Sequence, residues 1–233
     1  MTRTRQMPAS KLARSDKGNV LVTGRDWRVL LWIAEQYAVR LDQVQYLLGR
    51  DAGKGAKVAG QISQNAARLV VARWKRAGLA DCKKILAYEP SWIWVTAKGL
   101  HELDLPFKPY IPSLARLEHL DAVNRARLTI KRQHPGYVWY SERELRVEMV
   151  YEKGVTFPHL PDGLLETDKG EIAIEVELTL KKPAELQAIL LELAQNYDEV
   201  WYFVTKVTCD AVVAARKKIG PSLGPRILIY ESW

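Results

Sequence analysis

The sequence predicts a mixed α+β or α/β protein of two domains, and two observations support this prediction. The chain has 233 residues, 48% hydrophobic and 27% charged, which are ordinary values for a globular protein large enough to form one or two cores. Its first half shows helical periodicity followed by two short strands, whereas its second half alternates helices with strands.

Basic charge is concentrated in the first half of the chain, within a total net charge of +8. Residues 1–110 carry 19 Lys and Arg against 9 Asp and Glu (net +10), whereas residues 111–233 carry 16 against 18 (net −2). Such segregation indicates a half that binds a polyanion. A merely solubilising surface is the alternative, although solubility does not require the charge to be uneven.

Several classes of protein are disfavoured by the composition. No apolar run approaches the roughly 18 residues of a membrane span, and the basic N-terminus lacks the apolar segment of a secretory signal. Cys82 and Cys209 lie far apart without metal-ligand spacing, which suits a reducing compartment. We therefore expect a cytoplasmic protein with no membrane partner.

Three helices are expected in the first half, after a flexible basic arm over residues 1–20. Thr23 and Asp26 have the spacing of a capping box, and apolar residues then recur at intervals of three and four. A short helix over 41–49, a loop over 50–60 and a helix over 63–77 follow. Two strand candidates cover 79–88 and 92–96.

The third helix carries the residues best suited to binding DNA. We expect its apolar stripe to be buried, namely Ala66, Leu69, Val70, Trp74 and Ala77. Side chains that can hydrogen-bond base edges are Gln64, Asn65 and Arg68. Phosphate contacts are expected from Arg73, Lys75, Arg76, Lys83 and Lys84.

This order of three helices and a hairpin, together with residues 94–99, resembles the winged helix-turn-helix family. The resemblance implies that residues 21–105 bind double-stranded DNA, with the third helix in the major groove and the hairpin as the wing. Some modules of this order bind protein instead, but the local basic charge favours DNA. A winged helix often acts as a dimer, although no heptad run here identifies a homodimer.

A linker is expected over the Pro-rich residues 106–112, which cannot hold a helix, and a second domain over 113–233. Its predicted elements are a helix from residue 113, strands over 137–140, 160–166 and 171–181, a helix over 184–197, a strand over 200–204, a helix over 207–219 and a strand over 226–230.

Residues 173–181 alternate strictly, which places Glu175 and Glu177 on one face of a strand and Ile174 and Val176 on the other. Paired carboxylates repel each other unless a cation, a salt-bridge partner or water offsets them. Asp162, in a Pro-Asp-Gly turn, could join them, and three carboxylates suit Mg²⁺. The alternative is that Asp162 caps a turn while the glutamates face solvent or pair with an arginine: Arg125, Arg127 or Arg143.

The element order and three short motifs, at residues 139–145, 161–163 and 174–179, resemble the replication-relaxation family of bacterial plasmids and mobile elements. The resemblance implies a PD-(D/E)XK nuclease-like second domain with an αβββαβ core. It implies that Asp162, Glu175 and Glu118 hold Mg²⁺ or Mn²⁺ and that Glu177 orients the attacking water. Glu177 departs from the family pattern, which has Lys there, and Lys181 lies too far along the strand to replace it without a bulge. His119 on the long helix could also reach the site, although a lone histidine at such a position is more often a packed or hydrogen-bonded residue.

Two functions follow from this resemblance. The first is a DNA-binding protein of a plasmid or mobile element, acting in replication, relaxation or mobilisation, whose second domain nicks or cleaves DNA with a metal ion. The second is a nucleoid- or plasmid-associated regulator whose nuclease-like domain is catalytically inactive and serves dimerisation or partner binding. A protein–protein adaptor is a third class, which DNA binding at low salt would exclude.

Overall fold

The computed structural model describes residues 21–50, 60–151 and 159–231. The chain divides into two compact units, Met1–Leu117 and Glu118–Trp233, and both mix helices with strands, so the α+β class is as predicted. The division follows residue 117, a few residues beyond the predicted linker. The predicted arm over 1–20 and most of the predicted loop over 50–60 lie outside the described residues.

The first unit contains a three-stranded antiparallel sheet surrounded by helices. Its elements are α1 (Gly24–Glu35), β1 (Val39–Arg40), α2 (Leu41–Arg50), α3 (Gln64–Arg76), β2 (Ala80–Lys83), β3 (Trp92–Val95) and α4 (Ala97–Glu102). The strand order is β1-β3-β2, with both pairs antiparallel. Sequence reasoning missed β1, because two residues are too few to show alternation, and it extended β2 five residues too far.

Local signals in the first unit are confirmed at the start of α1. The Thr23 hydroxyl accepts from the Asp26 N–H, and the Asp26 carboxylate accepts from the Thr23 N–H at 2.7 Å, which completes the predicted capping box. Gly78 adopts φ +72° just after α3, a conformation that glycine allows at low cost where a helix ends.

The predicted inner stripe of α3 is wrong in its register. The buried residues are Ala67, Val70, Val71 and Trp74, which recur at helical spacing, whereas Leu69 is 72% exposed. Both stripes share Val70 and Trp74 and have the same periodicity. Only packing against the rest of the unit decides how the helix is rotated about its axis, and this rotation leaves Leu69 exposed.

The second unit is a five-stranded mixed sheet with helices. Its elements are α5 (Leu117–Gln133), β4 (Val138–Ser141), α6 (Glu142–Tyr151), β5 (Gly163–Thr167), β6 (Gly170–Glu177), α7 (Pro183–Asn196), β7 (Glu199–Val204), α8 (Lys206–Ile219) and β8 (Ile227–Glu231). The strand order is β4-β5-β6-β7-β8, antiparallel from β4 to β6 and parallel from β6 to β8.

Two corrections concern elements of the second unit. Sequence reasoning missed α6, so the order is αβαββαβαβ, with a helix inserted between the first two strands. Residues 142–148 are Glu-Arg-Glu-Leu-Arg-Val-Glu, a composition with high helix propensity that should have indicated it. The helix predicted from residue 113 begins with a short 3₁₀ turn, Leu114–Arg116, before α5.

Among the described residues, several apolar clusters pack against the sheet, and two of them are large. One joins Ala122 and Ile130 of α5 to Trp139, Ile174 and other strand residues. The other joins α7 and α8 to Ala173 of β6 and to alternate residues of β7, including Tyr202. Gly163 is required by this packing, because a Cβ atom there would lie 2.3 Å from Trp139 Cζ2. Among the described residues, no helix has the length and apolar character needed to cross a bilayer.

Candidate acidic site and candidate DNA-binding surface

The acids singled out in the sequence come together where β5 begins and β6 ends. Strands β5 and β6 are antiparallel, and Gly163 of β5 pairs with Ile174 of β6. Asp162, the residue before Gly163, therefore lies beside Glu175, the residue after Ile174. The Asp162 Oδ2 atom accepts a hydrogen bond from the Val176 N–H at 2.9 Å. Alternation along β6 places Glu177 on the same face as Glu175, as predicted.

Asp162 does more than cap a turn. Its second carboxylate oxygen, Oδ1, lies 2.8 Å from Nε2 of His119, which projects from the first turns of α5. The carboxylate is therefore engaged through both oxygens, by a backbone N–H and by an imidazole. His119 is a partner of the acidic site and not only a packed residue.

Glu175 is buried, with 5% of its surface exposed, and its Oε1 lies 2.9 Å from Nε2 of His159. Burial and then the negative charge of Asp162 raise the pKa of Glu175 to about 7 from an ordinary 4.5, although His159 and Lys181 act in the opposite direction. The hydrogen bond with Glu175 raises the pKa of His159, against the effect of burial. Glu175 and His159 therefore form a hydrogen-bonded acid–base pair in which both pKa values are raised.

Glu177 is equally buried, and its carboxylate forms an ion pair with the Lys181 ammonium. The strand was expected to continue to residue 181, which would have separated the two groups. In the structure β6 ends at Glu177, so the chain turns and Lys181 reaches back to it. The Thr208 hydroxyl donates to the Glu177 carbonyl at 2.8 Å and so ties α8 to this end of β6.

Tyr202 also lies at the acidic site, because it is the residue of β7 that pairs with Glu175 in the parallel register of β6 and β7. Its side chain is fully buried, and its hydroxyl has no hydrogen-bond partner among the described residues. Burial raises the pKa of Tyr202 well above its ordinary value, and the charges of Glu175, Glu177 and Asp162 add to this effect.

The predicted metal ligands Asp162 and Glu175 each have another partner in the structure. Mg²⁺ requires several oxygen ligands around one point. In the part of the chain that the structure describes, no group of three or more His, Cys, Asp or Glu side chains is arranged to hold a metal ion. Asp162, Glu175 and Glu177 already contact His119, His159 and Lys181, and Glu118 is exposed. The site as it stands consists of acids paired with bases.

Sequence reasoning missed His159 and Tyr202 at this site. Nothing in the local pattern marks His159, which lies 16 residues before Glu175 in the sequence. Tyr202 lies within a continuous apolar run over 200–204, which indicates burial but not a neighbour. Of the arginines considered as partners for the acids, Arg125 contacts Asp121 on its own helix.

The exposed side of α3 presents most of the residues predicted to bind DNA. Gln64, Asn65, Arg68, Lys75 and Arg76 are exposed, and Lys83 and Lys84 are exposed at and beyond the end of β2. Lys75 forms an ion pair of 2.6 Å with Asp81, and this contact raises the pKa of Lys75 and lowers that of Asp81. The helix contains no acidic residue.

Arg73 differs from the other predicted phosphate contacts. One of its guanidinium nitrogens lies 2.8 Å from both carboxylate oxygens of Asp26, which is fully buried. Arg73 therefore ties α3 to the start of α1, and it does not belong to the candidate DNA-binding surface.

No protein family, curated protein or solved structure matches this chain.

Proposed function

We propose that the protein binds double-stranded DNA through its first unit, with α3 in the major groove and the β2–β3 segment as a wing. The observation that carries this proposal is the exposed side of α3, where amide and guanidinium side chains lie together in a helix without acids. Bidentate amides and guanidiniums are the groups that recognise base edges, and surrounding cations bind phosphates.

The topology of the unit supports this proposal. Three helices precede the two strands, and β3 pairs with both β1 and β2 in one antiparallel sheet, as a winged helix-turn-helix requires. The third helix follows the second in the position of a recognition helix. Its buried side is anchored by Trp74, which leaves the opposite side accessible to a groove.

We expect Arg76→Ala to weaken DNA binding about equally for all sequences and to reduce the slope of log K against log salt by about 1, because one phosphate contact is lost. Arg68→Ala is expected to weaken binding and also to relax sequence preference, because its side chain would read a base. Fluorescence anisotropy across a salt series measures both effects.

Lys218→Ala is the matched control, since Lys218 is an exposed cation of the second unit. It should leave both affinity and slope unchanged. No binding to any duplex at low salt would contradict the proposal and favour a protein–protein adaptor.

For the second unit, we propose a nuclease-like core that does not cleave DNA and serves dimerisation or partner binding. The supporting observation is that each acid of the site is engaged by a base or a backbone N–H, instead of being directed towards a shared ligand. Cleavage with Mg²⁺ or Mn²⁺ is the alternative, and the adjacency of Asp162 and Glu175 is the observation that favours it. A role in plasmid replication, relaxation or mobilisation rests on the short motifs alone.

We expect supercoiled plasmid to stay intact in the presence of Mn²⁺ and a large excess of the protein, because the acids are already paired. Agarose electrophoresis of nicked and linear products measures this. Nicking that disappears in Asp162→Ala but persists in Asp210→Ala would contradict the proposal and support a cleaving enzyme. Asp210 suits the comparison because it is an exposed acid of α8 that belongs to no candidate site.

A further inference from the structure

Leu69 occupies an unusual place on α3. It is 72% exposed, although a leucine normally gains from burial. Helical spacing puts it on the same side as Asn65 and Ala72, next to Arg68, and all three are exposed. Leu69 and Ala72 therefore form a small apolar strip within the surface that carries the candidate base-reading side chains.

A single exposed leucine is common on protein surfaces and by itself needs no explanation. The surroundings of Leu69 make it informative. The helix has no acid and carries exposed arginines at Arg68 and Arg76, so the charge of this surface is complementary to a polyanion. A protein partner would need acidic side chains around an apolar patch to match this surface, whereas DNA supplies the negative charge along its whole backbone.

The major groove of DNA offers one apolar group among its hydrogen-bonding edges, which is the C5-methyl of thymine. Small and medium apolar side chains recognise it by direct contact, and no other base presents it. An apolar strip next to an amide and a guanidinium is thus suited to a thymine that lies next to bases read by hydrogen bonds.

We propose that Leu69, supported by Ala72, contacts a thymine C5-methyl in the major groove and so determines a preference for thymine at that position. The inference rests on the proposed DNA binding of the first unit and adds to it the base and the atom that are read. Asn65 and Arg68, which precede Leu69 on the helix, would read neighbouring bases.

The experiment removes only the methyl group. A preferred duplex is first selected from random sequences with the full chain, and each thymine is then replaced singly by deoxyuridine. Loss of one buried methyl corresponds to about four-fold weaker binding. We expect this loss at one or two positions for the wild type, no loss there for Leu69→Ala, and a retained loss for Leu69→Met.

Leu114→Ala provides the matched control, because Leu114 is a 63% exposed leucine of the same unit away from α3. It should respond to deoxyuridine as the wild type does. Circular dichroism verifies that Leu69→Ala stays folded, which its exposure leads us to expect.

Three outcomes overturn the inference while DNA binding stands. The first is a selected duplex without thymine, and the second is an equal effect of deoxyuridine on binding by the wild type and by Leu69→Ala. The third is a Leu69→Ala variant that differs from the wild type only in self-association, measured by sedimentation. That result would assign the strip to contact with a second copy of the chain. Failure of the wild type to bind any duplex at low salt overturns the proposed function as well.

Discussion

Arg73→Ala is expected to destabilise the first unit by about 3 kcal/mol, because it leaves the fully buried Asp26 carboxylate without its cation. The carboxylate keeps its hydrogen bonds with the Thr23 N–H and hydroxyl, at 2.7 and 2.8 Å, so the loss belongs at the lower end of the range for a broken buried pair. Urea unfolding, with hydrogen exchange of the α1 and α3 amides to isolate this unit, measures the change.

Arg76→Ala is the control for that substitution, because it removes an exposed arginine from the same helix and should change stability by less than about 0.5 kcal/mol. Adding Asp26→Asn to Arg73→Ala should recover part of the loss, since an amide can still cap the helix without a buried charge. If Arg73→Ala and Arg76→Ala had the same free energy of unfolding, the contact between Arg73 and Asp26 would contribute little to stability.

Glu175→Gln is expected to stabilise the second unit at pH 8 and to leave it nearly unchanged at pH 4.5. The pKa of Glu175 is about 7 in the folded protein and 4.5 ordinarily. Between these values the folded state keeps a proton that the unfolded state has released, so stability falls as pH rises through this window. The difference corresponds to a gain on the order of 3 kcal/mol for the variant above pH 7.

The charged neighbours of Glu175 affect its pKa and therefore the pH dependence of stability. Asp162 opposes ionisation of Glu175, whereas His159 and Lys181 favour it. The raised pKa of His159 gives a loss of stability as pH rises above 6.5, in the same direction. For these reasons the useful quantity is the difference between wild type and variant in urea unfolding at each pH, with the exposed Glu118→Gln as control. A constant difference from pH 4.5 to 8 would contradict the prediction.

At the acidic site, sequence patterns predicted which acids come together but not which side chains contact them. Strict alternation predicted that Glu175 and Glu177 share a face of one strand, and the Pro-Asp-Gly turn suggested that Asp162 joins them. Their partners were not predictable in this way. His119 lies 43 residues before Asp162 and His159 lies 16 residues before Glu175, and no periodicity relates groups on separate elements.

The sequence by itself determined the α+β class, the capping box at Thr23, the two-faced pattern of β6 and the concentration of basic charge in the first unit. Only the tertiary structure decided that Leu69 faces outward, that Arg73 is engaged by Asp26 and that the acids pair with histidines and a lysine. The physical reason is that periodicity and capping are local properties of the backbone. The side that a helix turns inward and the charges that meet are set by packing between distant segments.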